Sequence, residues 1–244
     1  MLLILMYHRV HGMGAAPDAL RTHLQYIRDH HPLVLPGDPL PRGELAVCLT
    51  FDDATVDFFH EVFPLLQELG ARALVAVPTA YIEPVTQTSM AARLAAQASA
   101  VMNEDYAVPD SPLCSWEELR HMQASGRVAC ASHSHNHVDM IDPQINVEAE
   151  LALSNRALWQ NLGRKPDTFV YPFGRANRQV QRRVRHGFRY AMRIGSAMNR
   201  SWDDNDGLLY RVDAEQFWPR GKVWSYTDAV KYRLKYLGNR VRGK

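Results

Sequence analysis

The sequence lacks long apolar runs and has few cysteines. No run of about 18 or more apolar residues occurs in the 244-residue chain, so the sequence predicts no transmembrane helix. The three cysteines, Cys48, Cys114 and Cys130, form no C-x-x-C pair. An odd number of scattered cysteines argues against a disulfide framework and favours reduced thiols. We therefore expect a cytoplasmic protein.

The chain also lacks a strong charge of either sign. Lysine and arginine total 28 against 26 aspartate and glutamate residues, which gives a formal net charge of +2 at pH 7. This balance does not call for a polyanionic partner, and we expect no nucleic-acid binding. The apolar residues 1–10 have no basic segment before them and no small-residue cleavage site after them. We interpret them as a buried strand rather than a signal peptide.

Short apolar runs alternate with amphipathic segments, which is typical of an α/β fold with parallel strands. The chain is long enough for one such domain, 46% of its residues are hydrophobic, and it has no internal repeat or linker. The predicted strands are 2–7, 45–50, 73–77, 127–132, 168–171, 190–194 and, more weakly, 208–212. The predicted helices are a segment after Pro17, 56–69, a segment from the Ser115–Glu118 capping box to Gly126, 147–162, 176–186 and 226–240.

Two segments stand apart from this rhythm. Residues 81–112 are an insertion, partly helical over 90–102, that either shapes a substrate groove or is a passive excursion. The predicted C-terminal helix, 225–244, is basic and interleaved with aromatic residues. Such a helix either packs on the domain with a solvated basic face or lies on an anionic membrane. Peripheral contact with the inner membrane face therefore stays open.

Polar clusters follow four of the predicted strands. They read Y-H-R at 7–9, F-D-D at 51–53, H-S-H-N-H at 133–137 and Y-P-F-G at 171–174. The aspartate pair and the proline turn each have an ordinary explanation as a turn or helix cap. Three histidines in five residues after an apolar strand instead favour metal binding, because imidazole is the commonest ligand for zinc and similar metals. In a barrel the carboxyl ends of parallel strands meet at one mouth, so all four clusters would share one cleft.

The aspartate cluster and the histidine cluster resemble motifs of the polysaccharide deacetylase family, also called the NodB-homology or carbohydrate esterase family 4 group. T-F-D-D at 50–53 is similar to its T-F-D-D motif, and H-S-H-N-H at 133–137 is similar to its H-[S/T]-x-x-H motif. The resemblance extends from about residue 2 to 212 and implies a distorted (β/α)7-type barrel with the NodB-homology fold. It also implies a metal-dependent carbohydrate N-deacetylase.

The resemblance further implies a role for each matching residue. Asp52 would be the catalytic base, and Asp53, His133 and His137 would bind one divalent metal ion. Zinc is the default expectation, with cobalt, nickel and manganese also open. Ser134 would stabilise the histidine loop, whereas His135 occupies a variable position and is not expected to be a ligand. The backbone N–H of Phe173 would bind the oxyanion, and Tyr171 and Pro172 would help to wall the sugar site.

Two departures from the family pattern point to one of its branches. Val170 stands where the family usually has an arginine that orients the base, and the usual late L-x-H motif is missing. Both departures resemble the poly-N-acetylglucosamine deacetylase branch, which has a Y-P-[Y/F]-G motif and an acid histidine in an N-terminal [M/L]-Y-H element. This resemblance implies that His8 is the general acid and places Arg211 in the site.

We therefore expect removal of an N-acyl group, acetyl by default, from an amino sugar in a surface glycan or its lipid- or nucleotide-linked precursor. Two alternatives remain within the same fold: an inactive carbohydrate-binding relic, and a deformylase or amidase. A third is a different metallohydrolase barrel with an H-x-H pair, although such barrels carry the pair after the first strand and here it follows the fourth.

Overall fold

Seven parallel strands close into a barrel in the computed structural model, which describes residues 1–15, 18–103, 106, 111–221 and 224–241. The strands are β1 (Leu2–Tyr7), β2 (Ala46–Phe51), β3 (Ala73–Val77), β4 (Val128–Ser132), β5 (Thr168–Val170), β6 (Tyr190–Ile194) and β7 (Leu208–Asp213). Each strand pairs in parallel with the next, and β7 pairs with β1, which leaves no edge exposed. The predicted seven-stranded barrel is confirmed.

The barrel is distorted because three of its seams are short. β2 meets β3 only at Thr50 and Phe51. β4 and β5 share a single pair, Ser132 with Phe169, and β1 meets β7 only at Leu5 and Met6. β1 and β2, by contrast, stay in register over six residue pairs. The short seams allow the chain after β4 and β5 to diverge from a regular barrel, at the point where the histidine cluster and the proline turn begin.

Seven helices surround the barrel within the described residues. They are α1 (Ala19–His30), α2 (Phe63–Leu69), α3 (Met90–Asn103), α4 (Trp116–Ala124), α5 (Val147–Leu162), α6 (Arg178–Gly187) and α7 (Tyr226–Val241). The capping box before α4 is confirmed, since the Ser115 hydroxyl accepts the Glu118 N–H and the Glu118 carboxylate accepts the Ser115 N–H. The predicted helix 56–69 is different in its first half, which is a π-helical turn (Phe58–Val62) leading into α2.

The insertion is fastened to the domain through a buried arginine. Arg93 of α3 is 2% exposed, donates two hydrogen bonds to the Glu118 carboxylate at 2.7 and 2.8 Å, and donates another to the Leu113 carbonyl. A buried, bidentate arginine–carboxylate pair holds both partners in one geometry. Residues 104–105 and 107–110 of the insertion, like Pro17, Lys222 and 242–244, lie outside the described residues.

Alternation along the strands separates two apolar cores. Leu2 and Ile4 of β1 fill the barrel interior, whereas Leu3, Leu5 and Tyr7 pack outward against the helices. The interior core also contains Ala46, Cys48, Leu74, Ala76, Ala131, Val170, Met192 and Leu209. Because successive side chains of a strand point to opposite faces, the same alternation places position 8 after β1 and position 52 after β2 on the interior side.

The C-terminal helix packs on the domain through tyrosines. Tyr232 and Tyr236 are 1% and 4% exposed, and the Tyr236 hydroxyl donates to Asp204 at 2.7 Å. The predicted helix at 226–240 is confirmed, with its last described residue at 241. Within the described residues, none of the helices combines the length and the apolar content needed to cross a bilayer.

Candidate active site

A cavity of about 90 Å³ lies at the carboxyl ends of the strands. Its lining comes from the segments after β1, β2, β4, β5 and β6 and from the insertion: His8, Asp52, Asp53, Tyr106, His133, His137, Phe173, Gly174 and Ile194. The cavity has room for a group of a few heavy atoms, such as a small acyl group. A larger cavity of about 260 Å³ lies at the opposite ends of β3, β4 and β5, away from these residues.

Three of the lining residues bring potential metal-ligand atoms close together. Asp53, His133 and His137 each offer one ligand atom, and these atoms lie within 4.8 Å of one another. The Asp53 Oδ1 is 3.4 Å from His133 Nε2 and 3.3 Å from His137 Nε2. Asp53 is 3% exposed, and its Oδ1 accepts no hydrogen bond from any described residue.

This arrangement fits a divalent cation on chemical grounds. A buried carboxylate oxygen without a hydrogen bond is costly, and a cation bound between Asp53 and the two imidazoles removes that cost. Two nitrogens and one oxygen are a donor set that zinc and neighbouring transition metals accept. Three protein ligands leave a coordination position open, as in catalytic rather than structural sites.

A hydrogen bond behind His133 orients its ring toward Asp53. The His133 Nδ1 lies 2.8 Å from the Val170 carbonyl oxygen, which can only accept, so Nδ1 carries the proton and Nε2 is left with its lone pair. The His135 ring instead lies 2.9 Å from the Thr79 hydroxyl, outside the ligand group. The Ser134 hydroxyl accepts the Val138 N–H at 3.3 Å, which closes the histidine loop on itself.

A glutamate from a neighbouring helix holds the same loop. Glu150 of α5 accepts the backbone N–H groups of His135 and Asn136 at 2.9 and 2.8 Å, and it accepts the Asn136 side-chain amide at 2.6 Å. Glu150 is buried, so these charge-assisted bonds form away from bulk water. No motif in the sequence marks this residue, because it lies 13 residues beyond the histidine cluster on a helix whose other buried residues are mainly apolar.

Several residues around the cavity have a left-handed backbone conformation. Asp53, Ser134, His137 and Phe173 have φ values of 68°, 60°, 50° and 58°. Each such residue costs about 1–3 kcal/mol and persists only where the surrounding structure holds it. Gly174 follows with φ 62°, and a Cβ at this position would lie 2.3 Å from Ile194, so only glycine fits there.

Asp52 is held by an arginine from β7, two strands away from β2 around the barrel. Arg211 of β7 donates to both carboxylate oxygens of Asp52, at 2.6 and 2.9 Å, and the two residues are 1% and 3% exposed. Burial alone would raise the pKa of Asp52, but Arg211, with smaller contributions from His133 and His8, outweighs it and lowers the pKa. Val170 supplies no charge here. The guanidinium expected two residues before the proline is supplied by β7 instead.

The His8 ring lies between the carboxylates of Asp52 and Glu215. Its Nε2 is 3.9 Å from Asp52 and its Nδ1 is 3.4 Å from Glu215, which also accepts the His8 backbone N–H at 2.8 Å. Burial lowers the pKa of His8, but the hydrogen bond to Glu215 and the charges of Asp52, Asp53 and Glu215 raise it to about 9. The imidazole is therefore protonated at neutral pH, while 35% of the side chain remains exposed. Sequence reasoning did not identify Glu215.

The proline turn contributes fewer lining residues than the sequence suggests. Phe173 lines the cavity and is 38% exposed, and the two amides after it donate within the turn, to the Tyr171 and Pro172 carbonyls. The Tyr171 ring is fully buried, packs on Phe169 and donates its hydroxyl to Gln181 at 2.7 Å. Among the described residues, Tyr171 and Pro172 therefore support the cavity from behind. The alternation along β5 explains this, since Val170 points inward and its neighbours point outward.

Comparisons with known proteins agree with this fold. The sequence profile described as polysaccharide deacetylase matches residues 41–191, more than half of the chain. A comparison with curated proteins finds no significant match. Among solved structures, the Streptococcus pyogenes deacetylase PplD in complex with acetate is 20% identical, with a TM-score of 0.68 over 90% of this chain and 95% of that chain.

Two further solved structures are similar to the same extent. IcaB from Ammonifex degensii is 22% identical, with a TM-score of 0.67 over 87% of this chain and 91% of that chain. The BpsB deacetylase domain from Bordetella bronchiseptica is 22% identical, with a TM-score of 0.62 over 86% of this chain and 94% of that chain. At this identity the structural likeness establishes the shared fold, and the profile match establishes the family. The chain belongs to the polysaccharide deacetylase family.

Proposed function

We propose that the protein hydrolyses the N-acetyl group of an amino sugar with one divalent metal ion bound by Asp53, His133 and His137. The observation that supports this best is the buried Asp53 Oδ1, which has two imidazole nitrogens within 3.4 Å but accepts no hydrogen bond from the described residues. The same cavity contains a carboxylate held by arginine and a protonated imidazole. A base, an acid and a cation site are together the groups that a metal-dependent amide hydrolase uses.

Asp52 is proposed as the general base. A bound divalent cation would supply Lewis acidity, polarising the acyl carbonyl and lowering the pKa of a water molecule toward about 7. Asp52 accepts the proton of the attacking water, because its lowered pKa keeps it ionised. Arg211 grips both carboxylate oxygens and fixes the direction in which the remaining lone pairs point.

His8 is proposed as the general acid. Amide hydrolysis expels an amine, which leaves poorly unless a proton reaches its nitrogen as the C–N bond breaks. His8 is protonated at neutral pH and lines the same cavity as the metal-ligand group, with its Nε2 3.9 Å from Asp52. Glu215 bonds the other ring nitrogen and so determines which nitrogen faces the cavity.

Phe173 is proposed to bind the oxyanion through its backbone N–H. The left-handed φ of 58° at Phe173 turns this part of the chain at the cavity wall. A backbone donor held by a strained turn needs no reorganisation when charge develops on the carbonyl oxygen, which is the basis of oxyanion stabilisation. The volume of about 90 Å³ suits a small acyl group, with the sugar ring outside at the mouth beside Phe173 and Ile194.

We infer that the substrate is a surface glycan or its lipid- or nucleotide-linked precursor, in the manner of the poly-N-acetylglucosamine deacetylase branch. The N-terminal histidine after β1 and the Y-P-F-G turn after β5 both enter the cavity wall, as the branch pattern requires. The three cysteines are free, which supports a cytoplasmic site of action. A carrier-linked precursor would be accessible there, whereas an exported polymer would not.

An assay of acetate release tests the proposal. The protein is stripped with a chelator, reloaded separately with zinc, cobalt, nickel or manganese, and incubated with N-acetylglucosamine oligomers. We expect acetate release with at least one metal and background release from the stripped protein. The matched formyl and propionyl oligomers separate a deacetylase from a deformylase. Release of neither acetate nor formate by any metal-loaded form would contradict the proposal and favour a carbohydrate-binding relic.

A further inference from the structure

The outward face of α7 carries an apolar stripe that nothing in the described part of the domain covers. Val230, Leu234 and Leu237 are 39%, 64% and 52% exposed. At about 3.6 residues per turn, these three positions fall within about 60° of one another around the helix. The opposite face is the one that packs on the domain, through Tyr232 and Tyr236. The apolar stripe therefore takes no part in packing α7 on the domain.

Cations border this stripe on both sides. Arg233 lies next to Leu237 around the helix, and Lys231 and Lys235 lie on the far side of Leu234, with all three cations exposed. The Lys231 and Lys235 ammonium groups lie 5.1 and 5.6 Å from the centre of the Tyr232 ring. Long basic side chains beside an apolar stripe are the pattern of helices that lie in a membrane interface, with the stripe in the acyl boundary and the cations among the headgroups.

The charge of α7 distinguishes between the possible binding partners of the apolar stripe. The sequence of α7 has four cations and one acid, Asp228, which is buried and accepts the Ser225 hydroxyl at 2.5 Å. Two copies joined stripe to stripe would bring the same cations together, which is unfavourable. An anionic lipid surface instead complements both the apolar stripe and its basic borders.

The end of α7 is also connected to the wall of the cavity. The Asn239 side-chain amide donates to the Gly195 carbonyl at 2.9 Å, and the preceding residue, Ile194, lines the cavity. Ile194 is itself 37% exposed. A helix lying on a membrane would therefore hold this side of the cavity mouth close to the lipid surface.

We propose that α7 binds an anionic membrane surface in the plane of the interface, through Val230, Leu234 and Leu237 with Lys231, Arg233 and Lys235 as its flanking cations. This placement would bring a carrier-linked sugar in the bilayer to the cavity without any membrane-spanning segment. Vesicle binding requires no turnover, so it is separable from the hydrolysis proposed above.

Flotation with lipid vesicles tests the proposal. Wild-type protein is compared on phosphatidylcholine vesicles with and without phosphatidylglycerol. We expect binding only with the anionic lipid, weakened by added salt. Lys231→Gln with Lys235→Gln should weaken binding about thirtyfold, because each cation near an anionic surface contributes about fivefold. Leu234→Gln with Leu237→Gln should weaken it by about tenfold or more.

Matched controls lie elsewhere on the surface. Trp159→Gln removes an apolar residue of α5 that is 62% exposed, and Lys165→Gln removes an exposed cation; both variants should bind vesicles like wild type. All variants should unfold at the wild-type temperature and release acetate from a soluble substrate at the wild-type rate. No binding by wild type, equal binding without phosphatidylglycerol, or unchanged binding by both double variants would overturn the proposal. A dimer seen by light scattering that dissociates in the leucine variant, without vesicle binding, would assign the stripe to a second copy instead.

Discussion

Replacing Asp52 with asparagine should lower kcat/KM by about 10²–10⁴-fold, the usual contribution of a positioned general base, while the metal content stays at the wild-type level. Asparagine keeps the size of the side chain but cannot accept the proton of the attacking water. Asp52 is not one of the three residues that offer a metal-ligand atom, so the variant should still bind the cation. Kinetics on soluble N-acetylglucosamine oligomers, with elemental analysis of the same samples, measure both quantities.

Arg211→Lys is the matched variant for this prediction. Lysine preserves a positive charge beside Asp52 but cannot reproduce the two parallel hydrogen bonds of the guanidinium. We expect Asp52 to remain ionised and kcat to fall, by less than in Asp52→Asn. An Asp52→Asn enzyme with wild-type kcat/KM would show that another group takes the proton, and loss of the metal in that variant would move Asp52 into the ligand set.

Activity should fall on the alkaline side as His8 loses its proton. A general acid must be protonated, so kcat/KM decreases as the pH rises through the pKa of His8, which stands at about 9. A cation bound beside Asp53 offsets part of that carboxylate's effect, so the fall begins at or below this value. On the acid side, Asp52 contributes a loss only below its ordinary pKa of 3.8, and the two together give a bell-shaped profile.

Glu215→Gln provides the control for the role of His8. Glutamine removes the charge that helps to raise the pKa of His8, so the alkaline fall should move to lower pH while the metal content is unchanged. His8→Gln should remove that limb and lower kcat about 10²–10⁴-fold. Substrates with a good leaving group should be affected much less. An alkaline limb that stays in place in Glu215→Gln would mean that another group titrates there.

The barrel and the metal-ligand group were predictable because they follow from local patterns. Apolar runs of five or six residues, helix caps at Ser115 and polar residues directly after the strands are all local in sequence. The same alternation that places Leu2 and Ile4 inside also places Arg211 inside, in step with Leu209. Applied to β5, the same alternation predicts that Tyr171 points away from the cavity. The family resemblance instead implies that Tyr171 helps to wall the sugar site.

The contacts that support the site were not predictable from local sequence. The family resemblance placed Arg211 in the site but not against Asp52, which it reaches across 159 positions of the chain; Glu215, which no motif marks, reaches His8 across 207. Both contacts depend on the closure of β7 against β1. Glu150 anchors the histidine loop from a helix face, where an occasional acidic residue is ordinary. Pairings of this kind depend on the closed barrel and not on local sequence.

Measuring the metal content shows most directly whether Asp53, His133 and His137 form a cation site. Elemental analysis would compare wild type with Asp53→Ala and His133→Ala, and with His135→Ala as the control, since the His135 ring contacts Thr79 instead. We predict about one transition metal per chain in wild type and in His135→Ala, and none in the other two variants. A wild-type protein that binds no metal after reconstitution with zinc, cobalt and nickel would contradict the account, as would full occupancy in Asp53→Ala and His133→Ala.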